Sequence, residues 1–271
     1  MDFKKVKLVV TDMDGTLLNP NNEVSSRFLN QFTELKKRNI HFVAASGRQY
    51  QSIVDKLELI QEDISIIAEN GGILKFDNNT DVLLKLSSEN IAKAICALRS
   101  IDAVFIVLCG RKSAYIETTN PDFIAKFEKY YSKYTIVEDL TTVTNDDFLK
   151  IAVYHFECSE KHILPHITEL KTDMQVIVSG QNWLDISHRD ANKGYALNIL
   201  QEKLGITKEE TMVFGDYNND LQMLELADFS YAMANAHAEV KKIARFETKS
   251  NADEGVEFVL DQLLNGIAYP Y

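Results

Sequence analysis

Two aspartates one residue apart, Asp12 and Asp14, close the apolar run Val6 to Val10 and lead into Gly15 and Thr16. Anions this close repel. They persist together only where a cation neutralises one or their pKa values part, which divides them into a nucleophile or ligand and an acid or base. A hard divalent ion such as Mg²⁺ suits the pair. Gly15 lets the backbone approach an anion closely, and the Thr16 hydroxyl can donate to one. The same Asp-x-Asp-Gly pattern also makes an ordinary turn, since Asp and Gly dominate turns for conformational reasons.

Further candidates follow in order. The run His41 to Ala45 ends in Ser46, Gly47 and Arg48. Ser46 and the amides after it could hold a phosphate oxygen, and a helix starting near Gly47 would add positive potential, although Ser46 would equally serve as that helix's cap. Ile64 to Ala68 runs into Glu69-Asn70-Gly71-Gly72, where the glycine pair marks a tight exit from a strand. Lys193 heads a pattern through Leu197, Leu200 and Leu204. A cation at a helix N-terminus opposes the dipole, which fits a role in holding an anion. Met212 to Phe214 ends in Gly215-Asp216, and Asp220 lies four residues on. If that turn is helical, both carboxylates face one way and can share a cation.

The elements around these residues predict a parallel sheet. Strand Val6 to Val10, helix Ser25 to Arg38, strand Ile40 to Ala45, helix Tyr50 to Leu57 and strand Ile64 to Ala68 alternate, which calls for helical crossovers. Alternation resumes after Lys193 with a helix to about Lys203, strand Thr211 to Phe214, helix Leu221 to Leu226, strand Phe229 to Met233 and a helix near Gly255 to Leu264. Between them, roughly Asp81 to Arg189, hairpins and helices take over. Predicted there are strand Val82 to Leu86, helix Glu89 to Leu98, a hairpin of Ala103 to Leu108 with Ala114 to Glu117, and a helix from Pro121 through Phe123, Phe127 and Tyr130. Strand Phe148 to Phe156, helix Ser159 to Leu170 and a hairpin of Met174 to Val178 with Trp183 to Ser187 follow. Crossings near Asp77-Asn78-Asn79-Thr80 and Arg189 to Lys193 would serve as hinges.

The series Asp12-Met13-Asp14-Gly15-Thr16, Ser46-Gly47-Arg48, Lys193-Gly194 and Gly215-Asp216…Asn219-Asp220 resembles the four motifs of the haloacid dehalogenase (HAD) superfamily of phosphatases. More narrowly it is similar to the Cof-like phosphatases with a type IIB (C2B) cap, a likeness carried by Glu69-Asn70-Gly71, by Ala232-Met233-Ala234-Asn235-Ala236, and by Ser250 to Val256. Ala234-Asn235 departs from the family's more usual Gly-Asn and should alter a loop rather than the chemistry. The resemblance implies an α/β fold: a Rossmann-like parallel-sheet core over 1–80 and 190–271, with an inserted α+β cap over 81–189 that governs substrate choice. It further implies Asp12 as nucleophile forming an aspartyl phosphate and Asp14 as acid and then base. Thr16, Ser46, Gly47, Arg48, Lys193 and Asn219 would lie on the phosphate, Asn219 orienting it or Asp216. Mg²⁺ would be held by Asp12, the Asp14 carbonyl and Asp216, with Asp220 as ligand or behind it. For this geometry the first strand must lie between those ending at Ala45 and Phe214.

Composition agrees. A chain of 271 residues with 45% apolar content suits two globular units, and a net charge of −11 argues against nucleic acid or an anionic membrane as partner. Cys96, Cys109 and Cys158 are odd in number and widely spaced, which predicts buried free thiols. The N-terminus lacks the apolar core of a signal peptide, and no apolar run is long enough to span a bilayer, so a reducing cytoplasm is expected.

The cap's contacts with the leaving group are expected from Arg111, Trp183, His188 and Arg189, although Trp183 would equally pack the cap and His188 and Arg189 would equally be solvated in the hinge. A small phosphorylated metabolite, such as a sugar phosphate, is the substrate the resemblance implies. Two other classes share these residue types. A sugar phosphomutase would pass the phosphoryl group to a sugar hydroxyl, and a noncatalytic phospho-receiver would draw its acidic pair and phosphoacceptor from different strands of a shorter, uncapped domain.

Overall fold

A computed structural model describes residues 3–266. Its strands are β1 (Leu8–Asp12), β2 (His41–Ala45), β3 (Ser65–Ala68), β4 (Ile73–Phe76), β5 (Asn79–Val82), β6 (Val104–Gly110), β7 (Ala114–Ile116), β8 (Tyr134–Ile136), β9 (Phe148–His155), β10 (Met174–Val178), β11 (Trp183–His188), β12 (Thr211–Gly215), β13 (Phe229–Ala232) and β14 (Phe246–Glu247). The helices are α1 (Ser26–Lys37), α2 (Tyr50–Lys56), α3 (Ser88–Leu98), α4 (Pro121–Phe127), α5 (Ser159–His162), α6 (Lys193–Leu204), α7 (Leu221–Leu224), α8 (Ala238–Ile243) and α9 (Gly255–Asn265).

Two sheets result. The larger has eight strands in the order β14-β13-β12-β1-β2-β3-β4-β5, and β1 pairs in parallel with β2 on one side and β12 on the other, the order that the resemblance requires. Alternation along β1 divides its side chains between two layers. Val9 joins the core formed with Phe28, Phe32 and Leu35 of α1 and Val259 and Leu260 of α9. Leu8 and Val10 face Ala196, Leu197 and Leu200 of α6. Ser25 caps α1 by accepting from the Phe28 amide, and Asn192 caps α6 by accepting from the Tyr195 amide.

The smaller sheet runs β10-β11-β9-β6-β7-β8. Its outer face packs on Ile91, Ile95 and Leu98 of α3, its inner face on Phe123 and Phe127 of α4. The pairings Trp183↔Tyr154, Asp185↔Ala152, Ser187↔Lys150 and Cys109↔Lys150 put those residues on that inner face. It meets the larger sheet's unit through Gln49, whose side chain bonds both the amide and the carbonyl of Lys133.

Local departures from expectation have identifiable causes. Val82 ends a strand rather than beginning one. The Asp77-Asn78 dipeptide, with Asp77 at φ 52°, turns β4 into β5, so the segment read as a hinge is a hairpin and the chain leaves the sheet after Val82. The expected helix Ser159 to Leu170 stops at His162 and continues as short tighter turns, because Pro165 supplies no N–H for a longer ladder. The helix from Pro121 ends at Phe127, and Tyr130 lies in the turn beyond it. No helix of the described residues is long and apolar enough to cross a membrane.

Candidate active site

The chemistry-bearing residues meet at the carboxyl edge of the larger sheet, where parallel strands stop and helices begin. Asp12 ends β1, Ser46 follows β2, Asp216 follows β12, and Lys193 is the first residue of α6. After Asp12 the backbone makes a wide turn closed by Leu18 N–H donating to the Met13 carbonyl. Gly15 adopts φ 77° there, and a Cβ on it would lie 2.3 Å from Asp216 Oδ2, so only glycine lets the two segments touch. Asn235 and Asn251 fasten this turn. Asn235 Nδ2 donates to the Gly15 carbonyl at 2.8 Å and its oxygen accepts from the Asn251 amide, while Asn251 Nδ2 donates to the Leu18 carbonyl at 2.8 Å.

Lys193 is fully buried, and its ammonium donates to Asp12 Oδ1 at 2.5 Å and Asp220 Oδ1 at 2.6 Å. The other Asp220 oxygen accepts from the amides of Asp216 and Tyr217, at 2.9 and 3.1 Å. Asp220 is thus bound on both oxygens and braces the loop that carries Asp216. Thr16 Oγ1 donates to Asp216 Oδ1 at 3.2 Å, so the structure sets Thr16 against a carboxylate.

Burial pushes the Asp12 carboxyl up to about 7, the neighbouring Asp220 and Asp14 charges add to this, and Lys193 opposes it. Asp216 is likewise driven well up, first by burial and then by Asp12 and Asp220. Burial alone would lower Lys193, but Asp12 and Asp220 outweigh it and hold the ammonium above its ordinary range. The cluster carries more negative charge than one lysine balances. One oxygen from each of Asp12, Asp216 and Asp220 lies within 4.8 Å of the others, a spacing and a donor set that fit a hard divalent cation.

Asp14 points elsewhere. Arg48 Nε donates to Asp14 Oδ2 at 2.7 Å and Nη2 to Oδ1 at 2.6 Å, a planar fork on a carboxylate. The remaining N–H groups go to Asn22 Oδ1, Ser52 Oγ and the Lys129 carbonyl, and the Tyr130 ring lies 4.8 Å from the guanidinium carbon. Arg48, expected on phosphate, therefore has its donors engaged by protein and holds the candidate acid. Ser46 is buried with its hydroxyl accepting from the Arg48 amide at 3.1 Å, and α2 begins only at Tyr50, so the residue braces a loop rather than capping a helix. Asn219 Nδ2 donates to Asn70 Oδ1 at 3.0 Å.

A cleft of about 460 Å³ lies between these residues and the inner face of the smaller sheet. Asp12, Asp14, Ser46 and Asp216 line one wall; Tyr130, Tyr154 and Trp183 line the other. Trp183 packs at 4.9 Å on Tyr154 and still reaches the cleft, so both sequence readings of it hold. The other cap candidates are placed away from it. Arg111 is exposed at the β6–β7 turn with Nη2 3.4 Å from the Thr80 carbonyl, His188 is at the far end of β11 beside Asp190, and Arg189 donates to the Thr172 carbonyl at 2.7 Å. Sequence reasoning missed Lys150 and Asp185, which also line the cleft. The signal was a single lysine inside the otherwise apolar run Phe148-Leu149-Lys150-Ile151-Ala152.

Residues 9–260 match the family model of haloacid dehalogenase-like hydrolases. The chain is 32% identical over 262 residues to the 5-amino-6-(5-phospho-D-ribitylamino)uracil phosphatase YbjI of Escherichia coli (strain K12), covering 96% of each chain. It is similar to the crystal structure of SMU.1108c from Streptococcus mutans UA159, with TM-score 0.89 and 31% identity over 96% of this chain and 99% of that one. It shares its fold with the HAD subclass IIB sugar phosphatase BT4131, at TM-score 0.82 and 18% identity over 95% and 98% of the two chains.

Proposed function

The chain belongs to the haloacid dehalogenase-like hydrolase family and is a phosphatase, and on that footing we propose that it hydrolyses small phosphorylated metabolites with Mg²⁺ through an aspartyl phosphate on Asp12. The observation that carries this reading is the buried group of Asp12, Asp216 and Asp220 around a single lysine, at the edge of a cleft large enough for a small ester. Asp12, Asp216 and the Asp14 carbonyl would hold Mg²⁺, with Asp220 behind them. When bound, the ion supplies the positive charge that lets a phosphoryl dianion approach a carboxylate nucleophile.

In the first step a carboxylate oxygen of Asp12 bonds to phosphorus as the ester P–O bond breaks, and Asp14 gives its proton to the departing oxygen. In the second, Asp14 takes a proton from water as the water oxygen bonds to phosphorus, which frees Asp12 and inorganic phosphate. Asp14 must exchange part of its Arg48 fork for these contacts. Lys193 sets the orientation of Asp12 and offsets charge that would repel the substrate. Ser46, Gly47 and Asn219 line the same cleft, where they would border the phosphoryl position. The inserted unit, 81–189 in the sequence reading, acts as the lid that excludes bulk water.

The Escherichia coli relative's name specifies a phosphorylated ribitylaminouracil, a polyol chain ending in a planar ring. The aromatic wall of Tyr130, Tyr154 and Trp183 suits a leaving group of that kind or a sugar ring, and three free cysteines suit a cytoplasmic setting. The test is inorganic phosphate release from a panel of such esters, with Mg²⁺ and with EDTA, by wild type and Asp12→Asn. We expect release that needs Mg²⁺ and falls on the order of 10⁴-fold or more in Asp12→Asn. Turnover retained by the variant, or undiminished by EDTA, would reject the assignment.

A further inference from the structure

The segment Glu69-Asn70-Gly71 has no part in the two steps above, yet it is held in an unusual conformation. Three successive residues have φ of 52°, 53° and 94°, and the first two are not glycine. Backbone of this kind persists only where its surroundings hold it. Here Glu69 N–H donates to the Arg48 carbonyl at 3.0 Å and Asn70 N–H to the Ser46 carbonyl at 3.1 Å, which lays the segment along the Ser46-Gly47-Arg48 loop. Close approach is complete at Gly47, where a Cβ would lie 2.9 Å from Asn70 Oδ1.

The segment's side chains look across to the smaller sheet. Asn70 accepts from Asn219 on one side and donates to Asp185 of β11 on the other. Glu69 is 1% exposed and stands 3.3 Å from the ammonium of Lys150, a residue of β9 that is itself 2% exposed. That ammonium also lies 3.3 Å from Asp185 and donates to the Gly47 carbonyl at 2.5 Å. The peptide joining Gly47 to Arg48 is therefore gripped from both sides, its carbonyl by Lys150 and its N–H by Ser46 Oγ. An ammonium on the carbonyl also polarises the peptide, which strengthens what its N–H can donate.

We propose that Lys150, reaching from the inserted sheet, is a positioning residue of the phosphate site that fixes the Ser46–Gly47–Arg48 loop. The proposal rests on the phosphatase reading of the cleft. The loop that borders the phosphoryl group then depends on a side chain the core does not own. When the inserted sheet is docked the loop is stiff and phosphate is held. A sheet that swings away withdraws Lys150 and loosens the grip on product.

The test measures inorganic phosphate binding by calorimetry in the presence of Mg²⁺, alongside KM and kcat for a small phosphate ester, in wild type and Lys150→Met. Leaving Glu69 and Asp185 without their ammonium threatens folding. The double variant Glu69→Gln/Lys150→Met therefore removes the ammonium together with the ionisable carboxyl that faces it. In both variants we expect phosphate affinity to fall roughly tenfold, the worth of one good hydrogen bond, with KM rising in step and kcat changing less. A merely structural lysine would lower apparent kcat through a smaller folded fraction and leave KM and phosphate affinity unchanged, and that result overturns the proposal. Wild type that neither hydrolyses the ester nor binds phosphate overturns the assignment of this cleft together with the proposal, whereas KM and phosphate affinity shared by wild type and the double variant overturn the proposal alone.

Discussion

Replacing Glu69 by glutamine tests the electrostatics of the core–cap boundary without any assay of activity. The Glu69 carboxylate has no hydrogen bond to either oxygen, and burial raises its pKa from 4.5 to about 7, with Lys150 opposing and Asp185 reinforcing the shift. It faces Lys150 on β9, Asp185 on β11, Cys109 on β6 and Tyr131 beyond α4, and burial drives the thiol and the phenol up so that both stay neutral. The unfolded chain loses the Glu69 proton near 4.5, whereas the folded chain keeps it to about 7. Between those values the folded state binds more protons, so the contribution is fully present below the lower value and is lost as pH rises through the upper one. The gap, at about 1.36 kcal/mol per pH unit, corresponds to about 3 kcal/mol. Glutamine keeps the shape and cannot ionise. Urea unfolding of both proteins at about pH 5 and about pH 8 should show the variant gaining some 2–3 kcal/mol on wild type between the two conditions. Other groups titrate equally in both proteins and cancel in the difference. A stability difference that is the same at both pH values would show that Glu69 folds in ionised, its charge matched by Lys150, and would refute the reasoning.

Two further variants probe the site itself. Gly15→Ala combines a left-handed backbone, worth about 1–2 kcal/mol of destabilisation in urea unfolding, with a Cβ driven into the Asp216 carboxylate. Its activity should drop about 100-fold and need more Mg²⁺ for half-maximal rate, and an unchanged Mg²⁺ response would argue that Asp216 holds no metal. Arg48→Lys keeps the charge and loses the fork on Asp14, so kcat should fall about 100-fold with KM nearly constant. A raised KM with kcat retained would instead put Arg48 on the phosphate.

What could be read from the sequence followed from how each signal is encoded. Strand ends marked by Asp, Ser and Gly lie at one edge of any parallel sheet, which alternation supplies, and the meeting of Asp12, Ser46 and Asp216 needed in addition the strand order that the family resemblance demanded. The partner of Arg48 was not legible, because a guanidinium suits a carboxylate as well as a phosphate and only coordinates choose between them. His188 and Arg189 look functional by type, yet Trp183 and Asp185 lie two apart on the face toward the cleft while His188 ends the same strand on the other side. The role of Lys150 was not legible, because a charge buried to serve another segment's carbonyl reads along its own strand only as an interruption of the apolar pattern. Pro165 stands in the sequence inside the expected helix, and its missing N–H outweighs the apolar spacing around it.

The pairing of β1 with β12 also has a consequence for how the molecule comes into being. Leu8 sits in register with Thr211, so the central strand lacks one neighbour until most of the chain has been synthesised. Every strand of the six-stranded sheet is complete by His188, before Asp216 has been translated. Contacts of such long sequence separation close slowly, and early-made units commonly fold first during synthesis. The inserted sheet can therefore assemble as soon as β11 has left the ribosome, while Lys193 and Asp216, which follow it in the chain, are still shielded in the exit tunnel, so the unit that faces the cleft takes shape before the site it covers.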